Sequence, residues 1–179
     1  MASMDRVTKQ RRESEALSPD MTTNQALLLS IRPHFVDLIF SGTKTVELWR
    51  VKPRVKAGDL VVVYASGATK GMVGAFEVAG VIAAAPNSIW RKFNGGSGLT
   101  KREFDTYFAG ASVGYAIRIG KRWKIQEPVP LKTLRKRRTG FRPPQSYHSW
   151  KLDELLRIGG EAFSSHVRNC SPLSASHRN

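Results

Sequence analysis

Gly74 and Gly80 interrupt residues 72–81, an apolar run that otherwise reads as one continuous strand. A strand with two internal glycines bends where they sit, and small barrels need such bends. The run 60–64 before it, Leu-Val-Val-Val-Tyr, is apolar throughout and reads as another strand. Residues 27–31, 43–50, 112–119 and 121–127 read as further strands, the last two meeting at Gly120. Pro33 suits the first turn of a helix, with Phe35, Leu38 and Ile39 on its buried face and Gly42 as its stop. Pro86, Ile89, Trp90 and Phe93 suggest a second helix, ended at Asn94, Gly95 and Gly96. Thr100 and Glu103 form a capping box for a third, whose Phe104, Tyr107 and Phe108 read as core. Five or six short strands with inserted short helices define an α+β chain built on a twisted barrel.

No apolar run approaches the roughly 20 residues of a membrane span, and the N-terminus lacks a secretory apolar stretch. Cys170 is the only cysteine, and His34, His148, His166 and His177 lack ligand spacing. We therefore expect a cytoplasmic protein, monomeric, with no intrachain disulfide, no metal and no cofactor. Residues 1–23 read as a disordered leader, 24–150 as the domain, and 151–179 as a short helix (150–158) followed by a flexible tail.

The formal net charge is +15. Residues 1–20 are balanced and 151–179 nearly so, which leaves 21 basic and seven acidic groups in residues 21–150. The excess belongs to the domain rather than to a tail. Lys132, Arg135, Lys136, Arg137 and Arg138 crowd one short segment, and residues 121–142 hold a single acid, Glu127. Such a surface suits a polyanion better than a membrane, because no long amphipathic helix adjoins it.

Chemistry concentrates in residues 41–50, Ser-Gly-Thr-Lys-Thr-Val-Glu-Leu-Trp-Arg. Strict strand alternation would put Lys44 and Glu47 on opposite faces. They share a pocket only if the strand starts after Lys44, with the lysine still in the turn that Gly42 opens. The plain alternative is an edge strand with solvated charges. Glu77 lies between Phe76 and Val78 on an apolar strand, where a carboxylate needs a partner such as Lys44 or faces solvent.

The segment from Gly42 resembles the Gly-x-Lys-x-x-Glu-x-Arg signature of the ASCH domain, of the PUA-like superfamily. The resemblance spans residues 26–150. Residues 26–33, 58–66 and 74–78 resemble the family's early strands. Residues 142–147, Arg-Pro-Pro-Gln-Ser-Tyr, resemble the closing element of a branch often described as predicted transcriptional regulators. One departure is clear: the signature's last Arg falls at Trp49, and Arg50 comes one place late. A one-residue shift on a strand turns the side chain to the other face, unless a bulge restores it.

The resemblance implies a PUA-like pseudobarrel with a cleft beside the signature strand that receives a nucleotide or modified base. In some ASCH proteins the lysine and a late serine are linked to ribonuclease activity. In others a lysine, a threonine and a glutamate form an amidohydrolase for acetylated cytidine nucleoside. The lysine carries over to Lys44, the strand glutamate to Glu77 and the late serine to Ser146. The hydrolase threonine falls at Glu47, so that nucleophile is absent. The favoured expectation is a nucleic-acid-binding module, RNA over DNA, with a role in transcription- or translation-linked regulation. Lys44, Glu47, Tyr64, Gln145, Ser146 and Tyr147 would read one exposed nucleotide. Arg50, Lys132, Arg135, Lys136, Arg137, Arg138 and Arg142 would hold phosphates. The main alternative is an enzyme of nucleotide chemistry, a metal-independent ribonuclease or an amidohydrolase, with Lys44, Glu77 and Ser146 as its catalytic groups. A third is an adaptor that takes a small ligand in the cleft.

Overall fold

A computed structural model describes residues 25–170. The strands are β1 (Gln25–Ile31), β2 (Val46–Trp49), β3 (Leu60–Ala65), β4 (Gly71–Ala84), β5 (Gly114–Pro130) and β6 (Tyr147–Lys151). The helices are α1 (Pro33–Ser41), α2 (Pro86–Ser97), α3 (Lys101–Phe108), α4 (Leu131–Arg137), α5 (Leu152–Gly159) and α6 (Glu161–Cys170). The strands form one sheet in the order β2-β5-β4-β3-β1-β6. Neighbours are antiparallel except β1 and β3, which the α1–β2 excursion makes parallel.

The sheet curls because its two long central strands bend at glycine. The β4–β5 register shifts between Met72 and Gly74 and again between Val78 and Gly80. Gly74 has φ +154°, and a Cβ there would stand 2.1 Å from the Trp123 carbonyl oxygen, so only glycine lets the strands approach. The curl brings the two edge strands together without closing the ladder. The rings of Trp49, at the end of β2, and Tyr147, at the start of β6, stack with centroids 4.2 Å apart.

Side chains inside the curl form one core: Leu27, Leu29, Val61, Val63, Phe76, Val78, Ile117 and Ile119, closed at one end by Val36 and Ile39 of α1. Outside, α4, α5 and α6 cover β1, β3 and β4 through Leu134, Leu155, Ile158, Phe163 and Val167. A third cluster lies under α2 and α3, where Ile89, Phe104 and Phe108 meet Val46 and Leu48 of β2.

Local signals hold where they were strongest. Pro33 opens α1, Gly42 caps it at φ +89°, and the Thr100–Glu103 capping box starts α3. Four expectations are corrected. The two strands expected over 112–127 are one, β5, because Gly120 sits at the bulge opposite Glu77 instead of ending the ladder. Asn94, Gly95 and Gly96 remain helical, and α2 stops at Gly98, with φ +74°. The chain after residue 158 is not loose as far as 170: α6 buries Phe163 and Val167 against the outer face. Trp150 belongs to β6, and α5 begins only at Leu152. The leader expected over 1–23 and the last residues of the tail lie outside the described residues.

Candidate functional site

Three short connections place the signature. The N–H of Gly42 donates to Ile39 O, and that of Lys44 reaches back to Leu38 O at 2.7 Å. The N–H of Thr45 donates to Gly96 O of α2 at 2.8 Å. Strand geometry therefore begins only at Val46, and Lys44 keeps its turn conformation. The result is the arrangement that alternation alone forbids: Lys44 Nζ lies 3.2 Å from Glu47 Oε2. The two atoms are at ion-pair distance without hydrogen-bond alignment, so Oε2 is buried with no aligned donor.

Lys44 is 3% exposed, and its ammonium also donates to the Ser97 carbonyl at the end of α2. It sits 5.2 Å from the centroid of the Phe35 ring, which adds a cation–π attraction. Gly96 permits this closeness, since a Cβ there would fall 2.0 Å from Thr45 Oγ1.

The pair forms the floor of an open cleft of about 600 Å³ between α1, β2 and α3. Its walls are Arg32, Phe35, Leu48, Leu99, Arg102, Glu103, Thr106 and Tyr107. The Tyr107 hydroxyl donates to Leu48 O at 3.1 Å. Burial raises the pKa of that phenol, helped by the Glu47 charge, while Arg50 opposes the shift. Glu103 is held below the usual carboxylate range by hydrogen bonds from the Thr100 backbone and side chain. A second hollow of about 590 Å³ lies along β6. The first cleft is the candidate site, because buried Lys44 and half-buried Glu47 meet there.

Other expected residues are dispersed. Glu77, on β4, pairs in register with Leu60 of β3, its Oε2 is buried without a hydrogen-bond partner, and it does not line the cleft. The partner of Lys44 is Glu47. Tyr64 is 3% exposed within the outer core beside Leu134, so its ring offers no open face to a base. Burial raises its pKa, against the opposing charge of Arg135. Gln145 and Ser146 are exposed, and the Ser146 carbonyl accepts from Ser30 N–H at 2.9 Å. Tyr147 reaches the signature strand only through its stack on Trp49.

Trp49 is buried where the signature has its arginine, and Arg50 instead donates to Ala109 O at 3.0 Å, tying β2 to the end of α3. The basic cluster divides. Arg137 Nη1 donates to Ile158 O and Gly159 O at 3.0 and 2.7 Å, capping α5. Arg138 pairs with Glu154 at 2.7 Å and stacks 4.5 Å from the Trp150 ring. Lys132, Arg135, Lys136 and Arg142 remain exposed. Among the described residues no three His, Cys, Asp or Glu side chains could hold a metal ion, and no helix is long and apolar enough to cross a membrane.

Sequence reasoning assigned Tyr107 to the core, and the structure makes it a wall of the cleft. Its hydroxyl was the available signal: Tyr107 is 40% exposed, and a phenol carries a polar tip that the neighbouring phenylalanines lack.

This pseudobarrel, with its lysine–glutamate turn, defines a class. The ASCH domain family model matches residues 29–119, and the chain belongs to that family. An ASCH domain-containing ribonuclease of Zymomonas mobilis is 27% identical over 139 residues, covering 78% of this chain and 93% of that protein. The crystal structure of the Zymomonas mobilis ASCH protein superimposes with a TM-score of 0.70 at 25% identity, covering 75% of this chain and 94% of that one. Solved Tyr→Phe and Ser→Ala variants of that protein give 0.69. Large ribosomal subunit protein uL22 of Ureaplasma parvum is 30% identical over 120 residues, 66% of this chain but 38% of the longer protein.

Proposed function

We propose that this chain binds RNA and holds one exposed nucleotide in the cleft around Lys44 and Glu47. One observation carries the reading: a buried lysine and a half-buried glutamate form the floor of an open cavity with aromatic walls. A buried ion pair is a weak stabiliser, because desolvation offsets its attraction. At the floor of a cleft large enough for a nucleotide it supplies recognition. Phe35 and Tyr107 offer ring surface to a base, and Arg32 and Arg102 supply positive charge for a phosphate. Lys132, Arg135, Lys136 and Arg142 add sequence-independent phosphate contacts. The Zymomonas mobilis ribonuclease supports RNA as the polymer.

That relative also favours a second reading, in which the chain cleaves the RNA it binds. The groups in the cleft able to carry a proton are then Lys44, Glu47, Glu103 and Tyr107, with Ser146 and Glu77 outside it.

The test is titration of labelled single-stranded RNA with wild type and with Lys44→Ala and Glu47→Ala, followed by prolonged incubation with EDTA. Binding that weakens in both variants, with intact RNA, supports the first reading. EDTA-resistant products that vanish in Lys44→Ala support the second. Binding that neither variant changes removes the cleft from the function.

A further inference from the structure

We infer that the cleft selects nucleobases carrying an exocyclic amino group (adenine, cytosine and guanine) against uracil. This rests on the reading of the cleft as a nucleotide site, and it follows from which hydrogen-bonding groups there are already committed.

Glu47 turns Oε2 inward to Lys44, where that atom is buried. Glu47 lines the cleft with its side chain 21% exposed, and Oε2 is the buried oxygen, so we take Oε1 as the oxygen facing the cavity. A carboxylate oxygen only accepts. Lys44 cannot supply a compensating donor to the cavity. It is 3% exposed, and its ammonium is held by the Ser97 carbonyl, Glu47 and the Phe35 ring.

The hydroxyls are committed as well. Tyr107 donates to Leu48 O at 3.1 Å, and Thr106 Oγ1 donates to Arg102 O at 2.9 Å. The remaining donors are the guanidinium groups of Arg32 and Arg102, both exposed and suited to a phosphate. A base edge that reaches the floor therefore meets an acceptor.

The amino groups of adenine, cytosine and guanine satisfy that acceptor, as carboxylates do when they accept from cytosine N4. Uracil presents one N–H flanked by two carbonyl oxygens. In the pose that aims the cytosine amino group at Oε1, uracil puts O4 there and sets acceptor against acceptor; its N3–H reaches Oε1 only if the base shifts so that a flanking carbonyl oxygen crowds the carboxylate.

The test compares ligands that differ by one amine-to-carbonyl change: cytidine against uridine 5′-monophosphate, and adenosine against inosine 5′-monophosphate. Each is titrated into the full chain while the amide NMR signals of residues 44–48 and 102–107 are followed. The expected result is binding about tenfold or more tighter for the amino member of each pair, the scale of one hydrogen bond to a charged group. In Glu47→Gln the amide presents either a donor or an acceptor, and the preference should shrink to about threefold or less.

Equal affinity within each pair, with shifts at the cleft, would overturn this inference and leave the nucleotide site standing. A preference that survives Glu47→Gln would also overturn it. Absence of cleft shifts with all four ligands would overturn the nucleotide site and the inference together. If Glu47→Gln fails to fold, the two wild-type comparisons decide alone.

Discussion

Lys44 and Glu47 face one cleft because the strand that carries the glutamate starts only at Val46, leaving the lysine in the turn, with its Nζ 3.2 Å from Oε2. Removing either partner strands the other. Lys44→Met should destabilise the fold by roughly 1–3 kcal/mol, because a half-buried carboxylate loses its counter-charge. The double variant Lys44→Met with Glu47→Leu should recover part of that loss. Urea melts of the four proteins would reveal the coupling, and strictly additive losses would show that the pair does not interact.

Adjacent glycines in α2 should respond in opposite directions. Gly95 has open space where a Cβ would stand, so Gly95→Ala should stabilise by up to about 1 kcal/mol through helix propensity. At Gly96 the same change drives a methyl to 2.0 Å from Thr45 Oγ1, beside Lys44. Gly96→Ala should cost on the order of 1–3 kcal/mol and weaken ligand binding at the cleft. Thermal melts of the two variants make the comparison.

The basic segment should separate by role. Arg137→Gln removes the hydrogen bonds to Ile158 O and Gly159 O and should cost about 2 kcal/mol of stability. Replacing Lys132, Arg135 and Lys136 with Gln should leave stability within about 0.5 kcal/mol, as for other exposed positions. In exchange, the dependence of log K on log salt for single-stranded RNA should flatten by up to about 2, at roughly 0.7 per lost phosphate contact. An unchanged slope would mark the segment as a solvated face.

Alkaline stability tests the tyrosines. Burial raises the folded-state pKa of Tyr107 and Tyr64 above the ordinary value of 10.0. Their contribution is present below pH 10 and is lost as pH rises through the folded-state values. Tyr107→Phe should make stability fall less steeply above pH 10, while losing about 1 kcal/mol at neutral pH with the hydrogen bond to Leu48 O. Melts at pH 7, 9 and 11 would show it.

The legible parts of this chain were those set by local chemistry. Pro33, Gly42 and the Thr100–Glu103 box depend on neighbours a few residues away, and Gly74 and Gly80 mark their bends by residue type alone, although the close approach to Trp123 that requires Gly74 comes from β5. The Lys44–Glu47 pairing was conditional on one local fact, where β2 begins. What sequence could not show depends on distant partners. Arg137 and Arg138 read as phosphate ligands until α5 supplies carbonyls and Glu154. Tyr64 reads as a barrel-mouth aromatic until α4 covers it with Leu134. Tyr107 stands three residues from Phe104 and reads as the same apolar stripe. Only the position of α3 over β2 makes it a cleft wall.

The most direct test of RNA binding at the cleft is photo-crosslinking of single-stranded RNA containing 8-azidoadenosine to the full chain, with the modified residues located by mass spectrometry. The account predicts crosslinks on Phe35, Tyr107 and their cleft neighbours that disappear in Glu47→Ala, while the RNA is still retained by the basic segment. Crosslinks confined to residues 132–142, unchanged in Glu47→Ala, would contradict it.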